Sequence, residues 1–172
     1  MKNIFKSIVF IIVGVSIVAG LVCLFFRLDF YNFIHHKTSH QDRQANYQHQ
    51  KQATVFIGNR ELTVKVAASP TERYRGLSGQ KNLTDKQGML FIHSQPAYHR
   101  YVMRGMLIPL DFIFIRGKKI VDLKTEIPAD YSGDIQGKIP YDLILELPAG
   151  WVKRNRVKIG ETVEIIKKSD RK

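Results

Sequence analysis

The chain has 172 residues and a formal net charge of +12 at pH 7, a length that accommodates one ordinary domain together with shorter segments. The positive charge is spread along the chain without a helix-turn-helix, a zinc-finger spacing or a ribonucleoprotein motif. The composition therefore argues against nucleic acid as a partner and favours attraction to anionic lipid headgroups.

The first predicted element is a membrane anchor. Residues 7–26 read SIVFIIVGVSIVAGLVCLFF and contain no charged side chain, and a helix of roughly 20 residues spans the ~30 Å hydrocarbon layer. A cleaved signal peptide has a shorter apolar region that ends at small residues, whereas this one ends in leucine and phenylalanine. We expect one transmembrane helix near residues 4–26, with membrane lipid as its partner. Because large C-terminal domains are exported largely regardless of their charge, we place the N-terminus inside and the domain outside the cytoplasmic membrane.

Residues 1–34 therefore form the anchor with its flank, and residues 35–52 form a second segment, HHKTSHQDRQANYQHQKQ. That segment cannot bury a core, which is typical of a flexible tether. A weak alternative is a metal site at His35, His36 and His40, but cysteine is absent from the segment and only one carboxylate lies in it. We expect no metal and no cofactor. The single cysteine of the chain lies in the anchor, so the soluble part has neither a disulfide nor a thiol nucleophile.

From residue 53 onward the hydrophobic pattern changes to a period of two, which predicts strands. The sequence TVFIGNRELTVKVA contains two alternating runs joined by Gly58-Asn59, a hairpin pattern in which Leu62, Val64 and Val66 share one face. Six later strand candidates are Met89–Ile92, His99–Met103, Ile108–Ile115, Lys119–Lys124, Asp142–Leu147 and Thr162–Ile166.

Two short helices are predicted between these strands. The segment SPTERYRGLSG (69–79) begins with a serine N-cap, a proline at the first helical position and a glutamate three residues after the cap, so a helix begins there and ends at one of the later glycines. A second helix is expected at residues 149–155. The fold class is therefore mostly β (β-rich α+β), a single domain over residues 53–172 built as a compact, antiparallel-dominated sheet or barrel with two short helices.

Four short blocks follow one another along this domain: TERYRGL (71–77), GMLF (88–91), IPLD (108–111) and LELPAG (145–150). In this order and spacing they resemble the domain-of-unknown-function 192 family, over roughly residues 61–163. The resemblance implies a single β-rich fold, frequent export or membrane attachment in bacteria, and no established activity. The chain departs from the family pattern at YVMRGM (101–106), where Val102, Arg104 and Gly105 replace the tryptophan, lysine and asparagine of the family.

Asp111 is the only charged residue within the apolar run MLIPLDFIFI. A carboxylate in such a strand requires a guanidinium or several N–H donors. We predict that Asp111 is ionised and paired with Arg73, while Glu72 caps its own helix. A structural ion pair or a turn cap is the alternative to a catalytic or binding role. The arginine candidates are Arg73, Arg75, Arg100 and Arg104.

Glu146 raises the same question in the run LILELPAG. A rim or solvent position is the simplest interpretation, whereas convergence with Asp111 would create a pair of carboxylates suited to acid/base catalysis. His93 and His99 are candidates for a base or a ligand, or else are surface loop histidines. The candidate binding or structural-polar cluster is Glu72, Arg73, Arg104, Asp111 and Glu146.

The soluble part contains no catalogued nucleotide loop, nucleophile elbow or metal-ligand motif. We therefore expect a membrane-anchored, extracytoplasmic binding or accessory module of the cell envelope, whose ligand is a small molecule or a protein. One alternative is an envelope enzyme that uses Asp111 and Glu146 as its acid and base. The other is a structural interaction protein. A concave pocket would favour the first two classes, and a flat surface or an open edge strand would favour the third.

Overall fold

The structure, a computed structural model, describes residues 51–167 and, in isolation, residue 27. The predicted anchor at 4–26 lies outside the described residues, as does the tether except for its last two positions. The described residues by themselves contain no helix with the length and apolar character needed to cross a membrane.

Strands dominate the described part of the chain. In chain order the elements are β1 Gln52–Ile57, β2 Arg60–Ala67, α1 Pro70–Arg75, β3 Gln87–Ala97, β4 Leu110–Arg116, β5 Lys119–Ile127, β6 Tyr141–Pro148, α2 Trp151–Arg154 and β7 Val163–Lys167. The predicted mostly β class with two short helices is confirmed within these residues.

All of these strands belong to one sheet with the order β5-β4-β6-β3-β2-β1-β7. Its neighbours are antiparallel except for β2 and β3, which run parallel. The two ends of this order meet where Lys119 bridges Thr162, and the Ile120 amide donates to the Glu161 carbonyl at 3.0 Å. The predicted antiparallel-dominated sheet is therefore curled into a half-barrel.

The first hairpin follows directly from its sequence. Gly58 adopts a φ of 60°, which suits the tight turn between β1 and β2. On β2 the predicted apolar face is buried, with Leu62, Val64 and Val66 all at most 6% exposed. Alternation with a period of two thus selects the face that enters the core.

The buried side chains form two apolar layers, one on each face of the sheet. The inner cluster takes residues from every strand and includes Ile113, Leu145 and Trp151. The outer cluster lies on the opposite face of β3, β4 and β6 and includes Phe91 and Phe112. Because both faces are covered, the central strands read as nearly continuous apolar runs in the sequence.

One predicted strand, His99–Met103, is wrong. In this segment only Tyr101 makes a β-bridge, with Ile135. The strand nearest in sequence, β3, already pairs with β2 on one side and β6 on the other, so no position beside it is open. The segment instead crosses the outer face of the sheet and covers it, with Met103 3% exposed. The other strand and helix predictions correspond to observed elements, although β3 continues to Ala97, well beyond the predicted end at Ile92.

Candidate functional site

A cavity of about 450 Å³ lies on the outer face of the sheet, beneath α1 and beside the segment that follows β3. The lining draws on four parts of the chain, and its principal residues are Arg73, Tyr74, Arg75, Leu77, Phe91, His93, Arg100, Tyr101, Val102, Arg104, Met106 and Glu146. A concave pocket of this kind is the feature that distinguishes a small-ligand site from a flat interaction surface.

Local sequence fixes the position of α1 above the cavity. The Glu72 carboxylate accepts hydrogen bonds from the Ala68 and Ser69 amides at 3.1 and 2.9 Å, and the Glu72 amide donates to Ser69 Oγ at 3.3 Å. The bonds from Ser69 lower the pKa of Glu72. The prediction that Glu72 caps its own helix is confirmed, and its carboxylate is committed to the helix and lies outside the cavity lining.

Arg73 joins α1 to the sheet through its Nη1, which donates to the Ile92 carbonyl at 3.0 Å and also to the Ala68 carbonyl. The predicted ion pair between Arg73 and Asp111 is therefore wrong. The guanidinium lies on the outer side of the sheet among the cavity residues, whereas Asp111 shares the inner face with Ile113.

Asp111 is completely buried and is held by backbone amides. One carboxylate oxygen accepts from Glu126 N at 2.7 Å and Gly150 N at 3.1 Å, and the other accepts from Val152 N at 2.8 Å. Gly150 is the N-cap of α2 and has a φ of 77°. The carboxylate thus caps a helix and a neighbouring turn, which is the structural alternative foreseen for this residue.

Glu146 occupies the opposite face from Asp111. Its strand neighbour Ile144 belongs to the outer cluster, and its side chain is only 5% exposed and lines the cavity. The rim or solvent interpretation is therefore wrong, because the side chain is buried. The catalytic pair with Asp111 is also wrong, because the sheet separates the two carboxyl groups. Within residues 51–167 no side chain or amide forms a hydrogen bond or ion pair with the Glu146 carboxyl. Burial raises its pKa to about 8, so it is largely protonated at pH 7.

A chain of polar aromatic contacts forms the inner wall next to Glu146. His93 Nε2 lies 2.7 Å from the Tyr101 hydroxyl, and the rings of His93 and His99 stack with their centres 3.4 Å apart. Burial lowers the pKa of His93 to about 3 and also lowers that of His99, so both rings are neutral at pH 7. Burial, reinforced by Glu146, raises the pKa of Tyr101. The interpretation of His93 as a surface loop residue is wrong, since it lies half-buried on β3.

The mouth of the cavity is positively charged. We call the four arginines of the lining the arginine rim: Arg73, Arg75, Arg100 and Arg104. Arg100 forms an exposed ion pair with Asp134 at 3.1 Å. Arg104 stacks over the Tyr74 ring with its Cζ 4.2 Å from the ring centre. Within the described residues, no carboxylate pairs with Arg73, Arg75 or Arg104.

The described part of the chain contains no preformed metal-binding site. Within residues 51–167 no group of three or more histidine, cysteine, aspartate or glutamate side chains is placed to hold an ion. The weak alternative at His35, His36 and His40 lies outside the described residues.

Sequence reasoning identified Arg73, Arg104 and Glu146 as candidates, and the structure brings these three to one cavity. It missed Phe91 and Tyr101, whose rings meet edge to face with centres 5.1 Å apart in the cavity wall. A usable signal was present, because Tyr101 opens the YVMRGM stretch and Phe91 ends the GMLF block.

Comparison with known proteins places the fold in a family. The model of the domain-of-unknown-function 192 family, described as an uncharacterized ACR, matches residues 53–165. A candidate transcription regulator from Sinorhizobium meliloti is 27% identical with a TM-score of 0.62, covering 66% of this chain and 92% of that chain. A protein of unknown function from Novosphingobium aromaticivorans is 25% identical with a TM-score of 0.60, covering 66% and 83%. No curated protein matches. This chain belongs to the domain-of-unknown-function 192 family.

Proposed function

We propose that the domain is a small-molecule binding module whose ligand occupies the cavity under α1. The observation that carries this proposal is the buried carboxyl of Glu146, which has no hydrogen-bond partner among residues 51–167 and lines a cavity of about 450 Å³. Small-ligand pockets usually measure about 300–1,000 Å³ and combine apolar walls with a few convergent polar groups. A buried polar group without a protein partner needs a ligand or a water molecule to satisfy it.

Two features favour binding over the enzyme alternative. The carboxyl groups of Asp111 and Glu146, which would have served as acid and base, lie on opposite faces of the sheet. The hydrogen bond between His93 and Tyr101 joins two groups that burial holds in their neutral forms. The site therefore presents fixed hydrogen-bonding groups and an apolar wall, which is the chemistry of recognition.

We further propose that the module is held at the outer side of the cytoplasmic membrane by the apolar segment at 7–26. The support is the uncharged length of that segment and the large C-terminal domain that follows it. Protease added to intact spheroplasts is expected to degrade the domain while the anchor stays with the membrane. Complete protection of the domain would show that the opposite orientation holds.

Binding in the cavity is tested by closing its mouth. Val102 lines the cavity and is 50% exposed, so Val102→Trp should block entry at little cost to the core. Leu107→Trp is the matched control, because Leu107 is 56% exposed and lies outside the lining. The full chain in detergent, labelled at its methionine methyl groups, is screened with a broad fragment library by NMR, with Met106 in the cavity wall as the reporter.

We expect several fragments to shift the Met106 methyl signal in the wild type and in Leu107→Trp, and to lose that effect in Val102→Trp. A library that shifts no Met106 signal in the wild type, or fragments that act equally on both variants, would contradict the proposal. Circular dichroism of each variant confirms that the strand content is retained.

A further inference from the structure

Resting on the proposed function, the structure assigns a ligand class: we infer that the cavity binds a small organic anion, with its carboxylate or phosphate at the arginine rim, its apolar body against Phe91, and a second polar group facing Glu146. The inference combines the charge of the mouth, the apolar character of the wall and the unsatisfied group at the inner end.

The charge of the cavity lining favours a ligand with a negative charge. Asp134 lies outside the lining and pairs with Arg100. Among the described residues of the lining, Glu146 is the one acidic side chain, against three arginines that have no carboxylate partner. Since the Glu146 carboxyl is largely protonated at pH 7, it does not offset them. A low-dielectric cavity wall strengthens the potential of such a cluster and disfavours a cationic ligand.

The arginines are arranged so that donors remain for an anion. Arg73 uses only Nη1 for its bonds to the Ile92 and Ala68 carbonyls, and among the described residues its Nε and Nη2 have no acceptor. The Arg104 guanidinium is held over the Tyr74 ring and donates from Nη2 to the Tyr74 carbonyl at 3.5 Å, which leaves its other nitrogens without an acceptor among the described residues. Planar, preoriented guanidiniums match the two oxygens of a carboxylate or phosphate.

The inner part of the cavity has apolar and polar features that a small inorganic anion would not contact. Phe91, Leu77 and Met106 line the cavity and make part of its wall apolar, which inorganic phosphate would not match. The Tyr101 hydroxyl and His93 Nε2 are bonded to each other, whereas the Glu146 carboxyl has no partner among the described residues and can donate its proton to a ligand. A ligand that satisfies the whole cavity therefore carries an acceptor at the end opposite its anionic group.

The test uses a matched set of phenyl compounds: benzoate, phenyl phosphate, benzamide and benzylamine. They are titrated into the full chain in nonionic detergent, with the Met106 methyl signal as the readout. We expect benzoate or phenyl phosphate to bind at least about tenfold more tightly than benzamide, and benzylamine to have no effect. Arg104→Gln should weaken binding of the anion about tenfold, whereas Arg116→Gln, an exposed arginine outside the lining, should not change it.

The outcomes separate this inference from the proposed function. If benzamide or benzylamine binds as tightly as benzoate and Val102→Trp abolishes binding, the cavity is a ligand site but its ligand is not an anion. If no phenyl compound shifts Met106 while other library fragments do, the ligand class is likewise overturned. Anion binding that persists in Val102→Trp would mean that the anion binds elsewhere and would also overturn the inference.

The inner group is tested with a second pair of compounds. We expect 4-(hydroxymethyl)benzoate to bind about threefold to tenfold more tightly than 4-methylbenzoate, because its hydroxyl can accept a hydrogen bond from the Glu146 carboxyl. In Glu146→Leu the two compounds should bind equally. If the wild type binds both compounds with equal affinity, Glu146 does not take part in ligand recognition.

A vesicle titration distinguishes the two sources of such an anion. Phosphatidylglycerol vesicles that displace benzoate from the wild type, when phosphatidylcholine vesicles do not, would identify a lipid headgroup as the natural anion. Displacement by neither would identify a freely soluble acid. The organic anion assigned to the cavity stands in both cases, since both carry an anionic group on an apolar body.

Discussion

Replacement of Asp111 by alanine is expected to lower the free energy of unfolding by roughly 3–5 kcal/mol, since it orphans buried N–H groups that each cost about 1–3 kcal/mol to leave unpaired. The donors are Glu126, Gly150 and Val152, whose distances to the carboxylate lie between 2.7 and 3.1 Å. Asp111→Asn should cost less, because it keeps one acceptor oxygen. Urea denaturation of the full chain in detergent, followed by tryptophan fluorescence, measures the loss; Trp151, the only tryptophan, follows Gly150 directly and is 2% exposed.

The control for this prediction is Asp130→Ala, because Asp130 is exposed and its loss should change stability by less than about 0.5 kcal/mol. A double-mutant cycle of Asp111→Asn with Arg73→Gln should be additive within about 0.5 kcal/mol, since the two side chains lie on opposite faces of the sheet. A coupling well above that value would restore the ion pair that the structure excludes.

Replacement of Glu146 by glutamine is expected to stabilise the protein at high pH. Burial raises the pKa of Glu146 from its ordinary value of 4.5 to about 8, so the folded state keeps a proton that the unfolded state releases between these values. The stability tied to this proton is fully present below pH 4.5 and is lost as the pH rises through 8. At about 1.4 kcal/mol per pH unit, the loss across the window reaches roughly 4–5 kcal/mol.

Glutamine cannot ionise, so Glu146→Gln should unfold much like the wild type at pH 5 and resist urea better at pH 9. Urea denaturation of both proteins in detergent at a series of pH values measures this difference. Glu164→Gln is the control, because Glu164 is exposed and its replacement should leave the pH profile unchanged. Parallel profiles for Glu146→Gln and the wild type would show that the Glu146 carboxyl is solvated in the folded state.

The features that sequence predicted best are those decided by residues close together in the chain. The hairpin turn at Gly58 and the capping box of Glu72 depend on local spacing, and both are present as expected. The partner of Asp111 could not be predicted in this way, because its donors are backbone amides of distant segments and every residue except proline carries such an amide.

Glu146 shows a second limit of the sequence. Along β6, Ile144 packs in the outer cluster and Leu143, Leu145 and Leu147 pack in the inner one, as the alternation of a strand requires. The alternation did not reveal that the outer face is also covered, because the cover comes from residues that follow β3, including the segment mistaken for a strand at His99–Met103. The burial of Glu146 and the cavity beside it therefore both result from tertiary packing.

The four sequence blocks have a common structural explanation. TERYRGL, GMLF and LELPAG contribute Arg73, Phe91 and Glu146 to one cavity. IPLD and LELPAG are joined by the bond from the Gly150 amide to the Asp111 carboxylate at 3.1 Å. Asp111 stabilises the turn that follows β6, the strand on which Glu146 lies, and so supports the inner end of the cavity from the opposite face of the sheet.

The central claim, that the cavity binds a small organic anion, is tested most directly by a crystal structure of the full chain grown with 4-bromobenzoate. Anomalous scattering from bromine marks the position of the ring in an anomalous difference map. We predict a bromine peak inside the cavity between Phe91 and Glu146, with the carboxylate directed toward Arg104. A cavity without a bromine peak at saturating 4-bromobenzoate, or a carboxylate directed toward Glu146 and away from the arginine rim, would contradict it.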